Sequence, residues 1–65
     1  MDLDSYETKR LPIIELLSET NKAWHIKLKK DIHWFPKSQC RVVGNILYTP
    51  EWLLEKNDID WRDNE

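Results

Sequence analysis

Residues 23–29 read AWHIKLK, a stretch in which apolar and polar side chains alternate one by one. Successive side chains of a strand point to opposite faces, so this period of two predicts a half-buried β-strand. The face expected to pack on the core consists of Trp24, Ile26 and Leu28. The opposite face is basic and consists of His25, Lys27 and Lys29.

The segment that follows predicts a second strand over residues 32–43, interrupted at Pro36. Proline has no amide hydrogen for the strand ladder, so we expect a bulge or a bend at that position. If side chains alternate between the two faces along this segment, Phe35 lies on the same side as the basic face. The same alternation places Trp34, Cys40 and Val42 on the core side.

Gly44 and Asn45 separate two short apolar runs, and Gly44 is the only glycine in the chain. Glycine adopts positive φ without steric cost, which two-residue hairpin turns require. The pair therefore predicts a hairpin turn that leads into a short strand over residues 46–48.

A helix start is predicted directly after this strand. Thr49 is a suitable capping residue, Pro50 suits the first helical position, and Glu51 complements the positive end of a helix. The helix is expected to end near Asn57. Two turns are unstable alone, so this helix must pack on the sheet.

The apolar residues 11–17 allow two interpretations. They form either an edge strand that tolerates Pro12 or a short helix with Pro12 in its first turn. Periodicity does not separate these for so short a run. We favour the strand, because the two following strands need a neighbour. The polar residues 1–9 and 62–65 are expected to be frayed.

Together these elements predict a single small α+β domain over residues 1–65. We expect a three- to four-stranded antiparallel sheet, bent at Pro36 and followed by one short C-terminal helix, in the order β-β-β-β-α. A chain of 65 residues buries only about 60% of its unfolded surface, so stability needs help. A monomer of this size does not easily bury all four tryptophans. Exposed aromatic patches usually mark an interface, so we expect a homo-oligomer, such as a homodimer.

The composition also indicates a compartment. Cys40 is the only cysteine, which excludes an internal disulfide and fits a reducing cytoplasm. No apolar run approaches about 18 residues, so no membrane span is expected. The N-terminus, with Asp2 and Asp4, lacks the apolar region of a signal peptide. We therefore expect a cytoplasmic protein without a membrane partner.

Charge is distributed unevenly along the chain, whose net charge is -2. Residues 22–41 contain six of the ten lysines and arginines but only one of the twelve acidic residues. The segments on either side are acidic. Such an asymmetry is typical either of a solvated basic sheet face, which also protects an edge from aggregation, or of a polyanion-binding face.

Aromatic and basic side chains interleave over residues 24–30 and 33–39. Proteins bind single-stranded nucleic acid with such mixtures, because aromatic rings stack on bases and cations follow the phosphates. The expected partner is single- or double-stranded DNA. The predicted nucleic-acid-binding residues are His25, Lys27, Lys29, Lys37, Arg41 and, as the stacking aromatic, Phe35.

No residue pattern indicates catalysis or metal binding. Cys40 with His25 and His33 is the only cysteine–histidine set, and no Cys-x-x-Cys pair exists for zinc. A phosphate-binding loop needs more than one glycine. We predict no catalytic residue, no metal and no cofactor, and we regard an enzyme, such as a DNA-nicking activity, as the least favoured function.

The helix and tail offer an alternative function. Acids clustered there either solvate the surface, form a weak divalent-ion site, or dock on a basic cleft of a host protein. The last option describes a protein-binding inhibitor of a host defence or nucleic-acid enzyme. The acids concerned are Glu51, Glu55, Asp58, Asp60, Asp63 and Glu65.

Three blocks of sequence resemble small phage and prophage proteins, most of them of unknown function. The blocks read ETNKAW at residues 19–24, WFPKSQ at 34–39 and TPEWLLEK at 49–56. The predicted layout is also similar to PC4-like proteins, which dimerise into single-stranded-DNA-binding sheets, and to some anti-CRISPR proteins. The resemblance implies a phage-type accessory or anti-defence protein in the cytoplasm of a bacterial host.

Overall fold

The computed structural model describes residues 8–65, and these form six β-strands followed by one short α-helix. The α+β class, with strands preceding a C-terminal helix, is confirmed. The elements are β1 (Thr8–Pro12), β2 (Glu15–Glu19), β3 (Ala23–Lys27), β4 (Ile32–Pro36), β5 (Arg41–Val43), β6 (Ile46–Pro50) and α1 (Glu51–Lys56).

The strands form two three-stranded antiparallel sheets instead of one sheet of three or four strands. The first sheet has the order β1-β6-β5 and the second has the order β2-β3-β4. The second sheet uses strands that follow one another along the chain. The first sheet pairs the earliest described strand with the last one.

The ambiguous residues 11–17 are extended, so the strand interpretation is confirmed and the helical alternative is wrong. They contribute to two strands, because β1 ends at Pro12 and β2 begins at Glu15. The Ile13 amide donates to the carbonyl of Asn45 at 2.7 Å, and the Ile14 amide donates to the carbonyl of Lys27 at 2.8 Å. These two bonds hold the corner where the chain passes from the first sheet to the second.

The predicted long strand over residues 32–43 is likewise divided between the sheets. β4 ends at Pro36, and the amides of Gln39 and Cys40 both donate to the Pro36 carbonyl, at 3.1 and 3.0 Å. The chain turns there and enters the first sheet as β5. Pro36 therefore ends a strand and does not merely bend one.

One hydrophobic core receives the inner faces of both sheets. Leu11 and Leu47 from the first sheet are completely buried, as are Ile26 and Phe35 from the second. The same cluster includes Leu28, Cys40, Leu53, Leu54 and Ile59. Each sheet therefore has one buried face and one outer face.

The expected orientation of β4 is wrong. Phe35 is completely buried, whereas Trp34 is 44% exposed. Phe35 lies opposite Trp24 and Trp34 lies opposite His25, and directly paired residues of antiparallel strands share a face. The prediction assumed that side chains alternate between the two faces without interruption from Ile32 to Val43. The chain turns after Pro36, so the faces of Cys40 and Val42 do not determine which face Trp34 and Phe35 occupy.

The hairpin turn at Gly44 and Asn45 is confirmed. Val43 pairs with Ile46, and Gly44 has a φ of 60°, in the left-handed region that favours glycine. The helix differs in its start. Pro50 is the N-cap residue and provides no side-chain cap, and Thr49 is buried within β6.

The C-terminal residues are not the free polar tail that the sequence suggests. Asn64 is completely buried. Its side-chain oxygen accepts a hydrogen bond from the Lys30 amide at 2.7 Å, and its amide nitrogen donates to Asp31 Oδ2 at 2.8 Å and to the Asp60 carbonyl at 2.9 Å. At the other end, residues 1–7 of the polar stretch 1–9 lie outside the described residues, and Thr8 and Lys9 belong to β1.

No helix within residues 8–65 has the length and apolar character needed to cross a membrane.

Asn64→Ala is expected to lower the free energy of unfolding by about 1–3 kcal/mol, because it leaves partly buried hydrogen-bonding groups without partners. Urea denaturation followed by tryptophan fluorescence measures this difference. Asp63→Ala is the matched control, since Asp63 is exposed and its loss should change stability by less than about 0.5 kcal/mol. Equal urea midpoints for the two variants would contradict a structural role for Asn64.

Candidate nucleic-acid interface

The structure separates the six predicted nucleic-acid-binding residues into three places. His25 and Lys27 lie on the outer face of the second sheet, with Lys29 just beyond β3. Lys37 and Arg41 line a groove beside the first sheet. Phe35 is in the core, so its expected stacking on bases is excluded.

The outer face of the second sheet is mixed apolar and polar. The rings of His25 and Trp34 stack in parallel, with centroids 4.5 Å apart and an interplanar angle of 6°. Lys27 lies between Glu15 and Ile32 in the register of the sheet. We call His25, Lys27, Ile32 and Trp34 the second-sheet face. Its lysine has a carboxylate neighbour, and its largest exposed groups are apolar.

Two of the predicted cations already have partners. The Lys29 ammonium donates to the backbone carbonyl of Glu65. The Lys37 ammonium forms an ion pair with the Glu19 carboxylate and lies 5.2 Å from the centroid of the Trp24 ring. Lys37 therefore connects the turn after β4 to the edge strand β2.

A groove of about 550 Å³ lies over the outer face of the first sheet, beside the turn that joins β4 to β5. None of its nine lining residues is acidic. They are Thr8, Lys37, Ser38, Gln39, Cys40, Arg41, Val43, Tyr48 and Pro50. The groove therefore combines two cations with hydroxyl and amide groups and one aromatic ring.

A row of three side chains crosses the first sheet next to this groove. Tyr48 on the central strand β6 lies directly opposite Arg10 on β1 and Arg41 on β5. Its neighbour Leu47 is buried in the core, so alternation places Tyr48 and both arginines on the outer face. We call these three residues the arginine–tyrosine row.

Both arginines of the row are exposed, and Tyr48 is half-buried. Within residues 8–65, neither guanidinium forms an ion pair. A guanidinium presents donors in a planar fork that matches phosphate oxygens. The row is therefore suited to a ligand that has both phosphate groups and a flat ring.

Arg10 and Tyr48 were not among the residues predicted from the sequence. Arg10 follows a stretch expected to be frayed, and Tyr48 belongs to a strand expected to be short. Only the pairing of β1 with β6 brings them together. No local pattern in the sequence indicates that β1 pairs with β6.

The thiol of Cys40 is a core group, as predicted. It donates to the hydroxyl of Thr49 at 3.3 Å, and burial raises its pKa above the ordinary value of 9.0, an effect that the Thr49 hydrogen bond partly offsets. His33 instead contacts the edge of Phe35, with ring centroids 5.6 Å apart. Among residues 8–65, no three histidines, cysteines or acids are grouped closely enough to hold a metal ion.

The acids of the helix and tail are dispersed and partly paired. Glu51 lies 3.6 Å from the Lys9 ammonium. Asp60 accepts a hydrogen bond from the Arg62 amide at 2.9 Å and lies 3.8 Å from its guanidinium. The remaining acids of this set are exposed: Glu55, Asp58, Asp63 and Glu65.

The raised pKa of Cys40 predicts a pH-dependent difference in stability between the wild-type protein and Cys40→Ala. Below the unfolded pKa of about 9.0 the thiol is protonated in both states, and its stabilising contribution is complete. As the pH rises past that value, the unfolded chain loses its proton first, so the contribution declines. Urea unfolding with reductant, at neutral pH and above pH 9.0, measures the difference, and a constant difference would contradict the assignment.

No protein-family model matches this chain, and no curated protein or solved structure matches it. The resemblance to small phage proteins and PC4-like proteins therefore stays an expectation drawn from the residues.

Proposed function

We propose that this protein binds nucleic acid through the outer face of its first sheet. The observation that supports this most directly is the arginine–tyrosine row, in which two exposed guanidinium groups flank one aromatic ring. Proteins that bind nucleic acid use cations to contact phosphates and aromatic rings to contact bases. The row supplies both kinds of group within three adjacent strands.

The local charge supports the same proposal although the net charge of the chain is -2. The groove and the row together contain three cations and no acid: Arg10, Arg41 and Lys37. Two acidic residues lie beside this set, since Glu19 forms an ion pair with Lys37 and Glu65 lines a second, smaller cavity together with Arg10. Association depends on the local potential of the contacting surface more than on net charge.

The proposed interface includes only part of the predicted residue set. Arg41 and Lys37 remain in it, and Arg10 and Tyr48 join them. His25 and Lys27 lie on the second sheet, where Glu15 partly balances the lysine. In this proposal the protein acts as a phage-type accessory or anti-defence protein in a bacterial cytoplasm, in line with the sequence resemblance.

Replacing both Arg10 and Arg41 with alanine is expected to weaken the binding of a labelled oligonucleotide about tenfold or more. Each lost phosphate contact removes about 0.7 from the slope of log K against log salt concentration for single strands, so the double variant should lose about 1.4. Fluorescence anisotropy at several salt concentrations measures both quantities.

The matched control replaces Lys27 and Lys30 with alanine, which also removes two positive charges but from exposed positions beside or on the second sheet. This control should retain most of the affinity and the salt slope. If both double variants lose affinity equally, binding follows overall charge and the first sheet is not the interface. If the wild-type protein binds no oligonucleotide, the proposed function is wrong.

A second candidate function, protein contact, is favoured by the apolar groups of the second sheet. Ile32 is 54% exposed, and Trp34, at the centre of β4, is 44% exposed. On the edge strand β2, Leu16 and Leu17 are also exposed. Ile32 and Trp34 are two residues apart on β4 and share the outer face, and neighbouring exposed apolar groups of this kind usually mark a protein interface. This surface suits a homo-oligomer or a host protein better than the dispersed acids of the helix and tail.

Ile32→Glu is expected to convert a self-associated protein to monomers, because it replaces an exposed apolar group of the second-sheet face with a charge. Val43→Glu is the matched control, since Val43 has the same 54% exposure but lies on the first sheet. Light scattering over a wide concentration range measures the mass of each variant. A monomeric wild-type protein at every concentration would exclude the homo-oligomer.

A further inference from the structure

We infer that the groove beside the first sheet holds one unstacked nucleotide of a single strand, with its base on Tyr48 and its flanking phosphates on Arg10 and Arg41. This inference rests on the proposed function and specifies its ligand. It excludes duplex nucleic acid as the preferred partner, because the bases of a duplex are stacked and paired and do not present their flat faces.

The position of Tyr48 supports a stacking role. The residue lies on the central strand of its sheet, where both neighbouring strands fix the backbone. It is half-buried, and its side chain lines the groove. A ring held in this way loses little further freedom when a base stacks on it, which favours binding.

The spacing of the arginines fits the two phosphates on either side of one nucleotide. Arg10 and Arg41 belong to strands separated by one other strand. Their backbones are therefore about 10 Å apart, given a spacing of about 4.8 Å between neighbouring strands. Long arginine side chains span such a gap from both sides, so the two guanidinium groups are able to contact consecutive phosphates around the tyrosine.

The groove itself has the size and chemistry of a site for one base. Its volume of about 550 Å³ lies in the range of small-ligand pockets, about 300–1,000 Å³. Val43 and Pro50 supply apolar lining, while Ser38 and Gln39 supply hydrogen-bonding groups that match the edges of a base. Lys37 also lines the groove at the turn, where its ammonium is paired with Glu19.

The decisive experiment changes the ligand and leaves the protein intact. Three labelled probes of about ten nucleotides, within the usual site size of single-strand binders, are compared by anisotropy: an oligothymidine, an abasic strand with the same sugar-phosphate backbone, and a duplex of the same length. The oligothymidine should bind about 5- to 140-fold more tightly than the abasic strand, as expected for a stacked base. It should also bind more tightly than the duplex.

Two conservative variants at Tyr48 test the same contact from the protein side. Tyr48→Phe keeps the ring and should keep the preference for the intact strand over the abasic one. Tyr48→Leu keeps an apolar side chain without a ring and should abolish that preference while retaining the salt-dependent binding. Circular dichroism verifies that each variant is folded. If Tyr48→Leu does not fold, the affinities of the wild-type protein for the three probes test the inference without it.

The outcomes separate this inference from the proposed function. Equal affinity for the intact and abasic strands, or tightest binding to the duplex, would overturn the inference and leave nucleic-acid binding by the first sheet standing. A preference for the intact strand that Tyr48→Leu retains would also overturn it, because another aromatic group would then be the stacking residue. Absence of binding to every probe would overturn both.

Discussion

The antiparallel pairing of β1 with β6 is the constraint on which the rest of the structure depends. It joins the earliest described strand to the last one and so creates the first sheet. Because β1 ends at Pro12 and the chain then turns at Ile13 and Ile14, the same pairing fixes where the second sheet begins. The two sheets can then bury their inner faces in one core. The outer face that contains the arginines exists only because this pairing is made.

The parts of the fold that depend on neighbouring residues were predictable. The alternation over residues 23–29, the glycine at position 44 and the proline before the helix each specify their element through local chemistry. The errors arose where a turn interrupts the pattern. The chain reverses after Pro36, so the parity of Cys40 could not orient Trp34 and Phe35. Thr49 resembles a cap, but the hydroxyl is buried with the Cys40 thiol.

The candidate site was only half predictable for a related reason. Lys37 and Arg41 were identified because the basic middle of the chain is visible as a run of charge. Arg10 and Tyr48 complete the site through a long-range register that composition and periodicity do not contain. The two outer faces also differ in character, since one has two arginines and a single ring and the other combines exposed apolar groups with a stacked ring pair and a lysine. The two proposals, nucleic-acid binding by the first sheet and protein contact by the second, rest on this contrast.

The arrangement of strands has a consequence for how the chain acquires its fold. The second sheet is a meander of consecutive strands, so its loops are short and close at small entropic cost. The first sheet pairs β1 with β6 across most of the described chain, and closing so long a loop costs more entropy and slows folding. Until that pairing forms, Leu11 and Leu47 of the first sheet do not cover the inner face of the second sheet. Leu16 and Leu17 of β2 are exposed even in the folded chain, so β2 adds apolar surface to any partly folded chain, and rapid pairing of β1 with β6 lowers the risk of aggregation.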